Sequence, residues 1–249
     1  MSGHNKWSKV KHTKGPADAK RSKVFSKLAK EITIAARSGG DPDLNPRLRT
    51  AVLNARKQSL PGENIDRAIK KGTGELAGEA IEEILYEGFG PGGIAFLVEV
   101  ATDNKNRSAA DVRSLFTKHH GNLGTPGSVA YLFERKGEIR IPAAALDEEK
   151  MLEAALEAGA DDVSTDDDDH VVLTAVDTLF EVAAALAAAG LECSSQKLVF
   201  LPKTTVAVAD PDGARQVLRL AEILDDYDDT QNVYANFDIA DSLMESLSS

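Results

Sequence analysis

The chain has a single cysteine, Cys193, which excludes an intramolecular disulfide and any cysteine-rich zinc site. No stretch comes near the roughly 18 consecutive apolar residues that a membrane span requires. The first residues, Met1-Ser2-Gly3-His4-Asn5-Lys6-Trp7, lack an apolar segment, so a secretory signal is not expected. Glycine stands at position 3 rather than 2, which argues against myristoylation. G-x-S-x-G, the P-loop pattern, H-E-x-x-H and cysteine-based catalytic signatures are all missing. What remains is a protein expected in a reducing cytoplasm, monomeric, with no membrane, metal or cofactor, and not an enzyme. A metal-dependent nuclease is the remote alternative, because carboxylates scattered in sequence leave no signature.

What the chain does have is charge divided by position. Positions 1–71 hold 17 Lys and Arg against 6 Asp and Glu, a surplus of 11 positive charges. Positions 72–249 hold 12 against 34, a surplus of 22 negative charges. A basic block of that size attracts polyanions, and the acidic remainder repels them. Nucleic acid is the partner this division points to.

The fold class expected is α+β in three domains. Residues 1–17 are Lys-rich without apolar periodicity and read as a flexible basic arm. Residues 18–78 form a helical domain of three short helices. Val24, Phe25, Leu28, Ile32, Ala35 and Ala36 share the face of the first, and Gly39-Gly40 stops it. Asn45 caps the second, with Pro46 at its first position. The third runs from Pro61 to Gly72. Residues 79–134 and 203–240 make a discontinuous α+β domain, with strands at 81–87, 94–102 and 128–133 and a helix capped by Asn104. Residues 135–202 follow the order βαββαβ, a ferredoxin-like domain, with Asp177 expected to cap its second helix.

The basic arm carries the clearest chemistry. Lys6, Lys9, Lys11, Lys14, Lys20, Arg21, Lys23, Lys27 and Lys30 put nine cations in 25 positions, with Trp7 and His12 among them. Flexible cations neutralise phosphates, and an indole stacks on an unpaired base for about 1–3 kcal/mol. Lys20, Lys23, Lys27 and Lys30 form one stripe on the first helix, which Arg47, Arg49, Arg56 and Lys57 extend from the second. The alternative is a solvated helix face. Lysine outnumbers arginine, which suits backbone contact better than bidentate reading of bases.

Gly88-Phe89-Gly90-Pro91-Gly92-Gly93 formally fits G-x-G-x-x-G. A strand-like run follows it and Pro91 removes a donor, so a hairpin loop is expected rather than a dinucleotide site. Gly90, Gly92 and Gly93 leave its backbone open to RNA, and Arg107 in Asn104–Ser108 is placed for phosphate or for a structural turn. His119-His120 lacks chelating spacing. The acidic runs Asp161-Asp162, Asp166–Asp169 and Asp225–Asp229 read as solvated loops that keep the body off nucleic acid.

Several blocks together carry a resemblance. Ser2–Trp7 with Lys11-His12 and Asp18–Phe25, then Tyr86–Gly93, Thr102–Arg107, Gly121–Gly124 and Ser128–Phe133, resemble the YebC family in the same order. Phe89 stands where that family often has Tyr, and His120 where it often has Gly. The resemblance implies three domains around a cleft, no known enzymatic activity and a role in gene expression. Bacterial relatives are described as probable DNA-binding transcriptional regulators. Mitochondrial ones resemble translational activators of cytochrome c oxidase subunit I, and some bacterial ones are linked to ribosomes stalled on proline-rich sequences. DNA and ribosomal RNA, and with it the ribosome, both stay open as partners.

Overall fold

The computed structural model describes residues 17–166 and 168–248. The expected arm therefore lies outside the described residues, apart from Ala17. Helix α1 (Ala17–Ala35) runs into a 3-10 turn, Ala36–Ser38, that ends at Gly39 with φ 139°. Asn45 joins this end to the next helix. Its Oδ1 accepts the Leu48 N–H at 3.1 Å, and its Nδ2 donates to the Ala35 and Gly39 carbonyls, both at 2.8 Å. One buried side chain thus caps α2 (Pro46–Lys57) and closes α1. Helix α3 (Gly62–Thr73) ends at Gly74 in the left-handed region. Ile32, Ala36, Leu48, Ala55, Ile65 and Ala68 form the shared core. At Gly72 the helices nearly touch, since an added Cβ would lie 2.3 Å from the Thr33 carbonyl oxygen.

Strands β1 (Glu82–Phe89) and β2 (Ala95–Thr102) form an antiparallel hairpin around the turn Pro91–Gly93. Helix α4 (Lys105–Lys118) follows, capped by Asn104, whose Oδ1 accepts the Arg107 N–H at 3.0 Å. The two-residue β3 (Asn122–Leu123) pairs with β1, and β9 (Thr230–Ala235) pairs with β2, giving the order β3-β1-β2-β9. Helices α4 and α7 (Pro211–Asp226) cover one face through Phe96, Phe116, Val112, Val217, Leu220 and Leu224. The other face of β2 buries Ala95 and Leu97 against Val129, Phe133, Val199 and Tyr234. Burial on both faces explains why β2 is nearly continuously apolar.

The second large sheet holds β4 (Phe133–Pro142), β5 (Asp162–Thr165), β6 (Asp169–Thr174) and β7 (Ser195–Pro202). Its order is β5-β6-β4-β7, antiparallel throughout. Helices α5 (Glu148–Glu157) and α6 (Leu179–Ala188) pack on it around Ile139, Ile141, Met151, Val172 and Leu186. A parallel pair of β8 (Val206–Ala207) and β10 (Phe237–Asp238), and then α8 (Asp241–Ser248), complete the described chain.

Four expectations are corrected. Residues 128–133 do not form a strand; β4 begins only at Phe133, after a 3-10 turn over Ala130–Leu132. The cause is Glu87, whose buried carboxylate accepts the N–H groups of Gly127, Val129 and Ala130 at 2.6–2.8 Å and so takes them from any ladder. Asp177 is not the cap of α6; Thr178 holds that position with no side-chain cap bond. The final strand expected at 233–239 is two, β9 and β10, because Asn236 intervenes: its side chain accepts the Ala95 N–H at 2.8 Å while its carbonyl accepts that of Val206. Asp166 is not solvated. Its side chain takes the N–H groups of Asp168 and Asp169 and meets Arg140 at 3.3 Å.

Candidate nucleic-acid interface

Lys6, Trp7, Lys9, Lys11, His12 and Lys14 lie outside the described residues, and Lys20 is placed on α1 by its backbone alone. The rest of the expected stripe is described. Lys23, Lys27 and Lys30 do share one face of α1, and that face meets the residues that end α7 and lead into β9. Lys23 Nζ lies 2.9 Å from Asp226 Oδ1, Lys27 Nζ 3.1 Å from Asp225 Oδ1, and Lys30 Nζ 2.7 Å from Asp229 Oδ1. Each ammonium also donates to a backbone carbonyl, of Asp226, Asp225 and Asp228 respectively. The run Asp225–Asp229 is thus not a free acidic loop but the partner of the lysines.

The three pairs differ in depth. The side chain of Asp226 is 63% exposed, whereas those of Asp225 and Asp229 are each 12% exposed. An exposed pair contributes about 0–1 kcal/mol; in the inner two the attraction is less screened by water, and the cost of desolvating both charges offsets part of it. Asp229 is the deepest anchor, accepting also from Thr102 Oγ1 at 2.9 Å, Arg107 at 3.0 Å and the Tyr227 hydroxyl at 3.3 Å. Burial pushes its carboxyl up, but Lys30, Arg107 and Thr102 outweigh that and hold it below the usual carboxylate range. Burial and the hydrogen bond to Asp111 push the Tyr227 hydroxyl well above its ordinary value.

The other expected contacts are dispersed. Arg21 covers the Phe25 ring at 5.3 Å. Arg47 is held between Glu31 and Glu83 at 3.1 and 2.6 Å, and Arg49 donates to the carbonyls of Pro42 and Asp43. Lys57 donates to the Cys193 carbonyl, which ties α2 to the start of β7, and Arg56 is exposed. Arg107 is engaged by Asp103 and Asp229, which favours the structural role over phosphate contact. Gly92 and Gly93 take φ of 70° and 74° in an exposed turn with open space where a side chain would stand. Gly90 instead is packed: an added Cβ would lie 2.6 Å from the Phe96 ring and 2.9 Å from Leu220. His120 takes φ 60°, a conformation that a glycine adopts at lower cost. Among the described residues no group of three or more His, Cys, Asp or Glu is placed to hold a metal ion, and no helix is long and apolar enough to cross a membrane.

Sequence reading missed Asp225, Asp226 and Asp229 as partners of α1. The signal was present as two runs of opposite charge, but nothing local links segments from opposite ends of the chain. Glu87 was also missed; an acidic residue inside a strand flanked by apolar neighbours was its only mark.

Two family descriptions match the chain: the TACO1/YebC protein N-terminal domain over residues 5–75, and the TACO1/YebC second and third domain over residues 81–237. A probable transcriptional regulatory protein of Akkermansia muciniphila is 56% identical, over 99% of this chain and all of its own length. One from Desulfotalea psychrophila is 53% identical over 99% of both chains. The crystal structure of a conserved hypothetical protein from Aquifex aeolicus superposes with a TM-score of 0.87 at 48% identity, covering 93% of this chain and 96% of its own. The chain belongs to the TACO1/YebC family.

Proposed function

We propose that this chain is a non-enzymatic, nucleic-acid-binding regulator of gene expression that grips phosphate with residues 1–57. The observation that carries this reading is the segregation of charge, a surplus of 11 positive charges over positions 1–71 against 22 negative ones beyond. Relatives named as probable transcriptional regulatory proteins support the regulatory role. The division into a helical domain at 18–78, a discontinuous domain at 79–134 and 203–240, and a domain at 135–202 is supported by three apolar cores, with a fourth cluster joining the last two domains across their boundary. The strand order β5-β6-β4-β7 suits a ferredoxin-like form for the last of these.

A second reading, binding to ribosomal RNA in translation, is favoured by the make-up of the helical domain. Lysines outnumber arginines along the arm and α1. In α3, which would enter the groove if α2 and α3 acted as a helix-turn-helix, the first residues include exposed Glu63 and Asp66. Carboxylates there oppose approach to duplex phosphates. Crosslinking in cells followed by sequencing of the bound nucleic acid separates the readings: promoter DNA supports the first, ribosomal RNA the second. In vitro, replacing Lys9, Lys11 and Lys14 by Ala together should weaken binding and flatten its log–log salt dependence by about 0.9 per lost contact on duplex, or 0.7 on single strands. Unchanged affinity and slope would remove the arm from the reading.

A further inference from the structure

We propose that the acidic segment Asp225–Asp229 occupies the lysine face of α1 in cis, and must be displaced before that face holds a nucleic-acid backbone. This deepens, and rests on, the reading of residues 1–57 as the phosphate-gripping part. Lys23, Lys27 and Lys30 lie on successive turns of helix, a rise of about 10 Å, over which one nucleic-acid strand presents about three phosphates. In the closed arrangement each Nζ instead meets one carboxylate and one carbonyl oxygen. The chain's own carboxylates stand where phosphate oxygens would stand. Lys27 and Lys30 are only 22% and 20% exposed with the segment in place, so a backbone cannot reach them without moving it. A small open cleft of about 270 Å³, bordered by Ser22, Ser26 and Tyr227, lies beside the paired lysines and aspartates and gives an incoming strand a point of entry.

The arrangement also has a place to open. Asp225 and Asp226 end α7, where the helix dipole disfavours negative charge, and the last turn of α7 has no basic residue of its own. Lysines from α1 supply the missing compensation. Once a polyanion draws them away, the end of α7 loses that support. Asp229 is held by Arg107, Thr102 and Tyr227 as well as by Lys30, so its carboxylate keeps partners in the body when Lys30 turns to phosphate, and this pair parts last.

The test compares three full-length forms binding a fluorescent duplex of about 20 base pairs and a single-stranded RNA of equal length across a salt series. The forms are the wild type, Asp225→Asn with Asp226→Asn, and a charge-matched control, Glu149→Gln with Glu153→Gln, on the exposed face of α5. If the segment competes in cis, the Asp variant binds about three- to tenfold tighter. Its salt dependence is steeper by about one to two, because wild-type binding must first break two ion pairs and take up their counterions. The control, with the same change in net charge, shifts affinity by much less. Equal gains in the Asp variant and the control, or no gain in either while the wild type binds, would overturn the cis-competition and leave the nucleic-acid reading standing. Binding by none of the forms, even at low salt, would overturn both. Asp226→Asn alone, at a position with little packing to lose, gives a smaller effect of the same sign if the double variant fails to fold.

Discussion

Glu87 ties the segment between β3 and β4 to β1 by hydrogen bonds, beside the apolar contacts of buried Val129. Its carboxylate is buried, 6% exposed, and is met by three backbone N–H donors from the segment between β3 and β4. Burial pushes its carboxyl up, and the three donors outweigh burial, so the folded-state value lies below the ordinary one. A depressed carboxyl contributes stability that is complete above its unfolded value, near about pH 4.3, and is lost as pH falls through the folded value. Glu87→Gln removes the charge and one acceptor and should cost about 1–3 kcal/mol at pH 7. In urea unfolding the gap between wild type and variant should narrow towards pH 3. A gap independent of pH would mean that the carboxylate is not what holds this segment.

At the scale of elements, the β1–β2 hairpin and α7 are fitted to each other through a missing side chain. Gly90 lies so close to Phe96 and Leu220 that even one methyl group forces ring or helix to move. Gly90→Ala should therefore destabilise by about 1–3 kcal/mol, read as a lower denaturation midpoint at unchanged slope; a neutral outcome would show that α7 yields freely. Elements whose causes are local were legible in the sequence. Asn45 and Asn104 announce their helices because a cap acts within about three residues. The hairpin was legible from the glycines and the apolar run that follows them. Residues 128–133 were not, since the acceptor that consumes their N–H groups stands far upstream, on β1. Nor was the closure of the lysine face. The stripe itself follows from helical spacing, but its aspartates come from the other end of the chain and draw near only once α7 is packed.

For the whole molecule, two of the contacts that fasten the helical region to the body join distant parts of the chain. One is the lysine–aspartate contact. The other is α2 on β7, where Gln196 Nε2 donates to Thr50 Oγ1 at 2.6 Å and Asn54 donates to the Gln196 carbonyl at 3.2 Å. The sheet that supports the first of these is assembled from distant parts of the chain, because β2 pairs with β9 from Phe96↔Ala235 to Val100↔Thr230. A chain cut after Asp229 keeps α7 but exposes the apolar edge of β2, and should aggregate in light scattering where the full chain stays monodisperse; a soluble truncation would mean that other segments can shield this edge. The same pairing orders events in time. Synthesis must run from β2 through all of β4–β7 and α7 before β9 emerges, which at roughly 5–20 residues per second takes on the order of 6 to 25 seconds. The intervening β4–β7 sheet, whose strands are all contiguous in the chain, is complete within that interval. Throughout it, one of the most apolar strands of the protein waits with an unpaired edge. Holding that edge safe until the last tenth of the chain arrives is a task for whatever attends the growing polypeptide, and slow synthesis across residues 203–230 would lengthen the exposure.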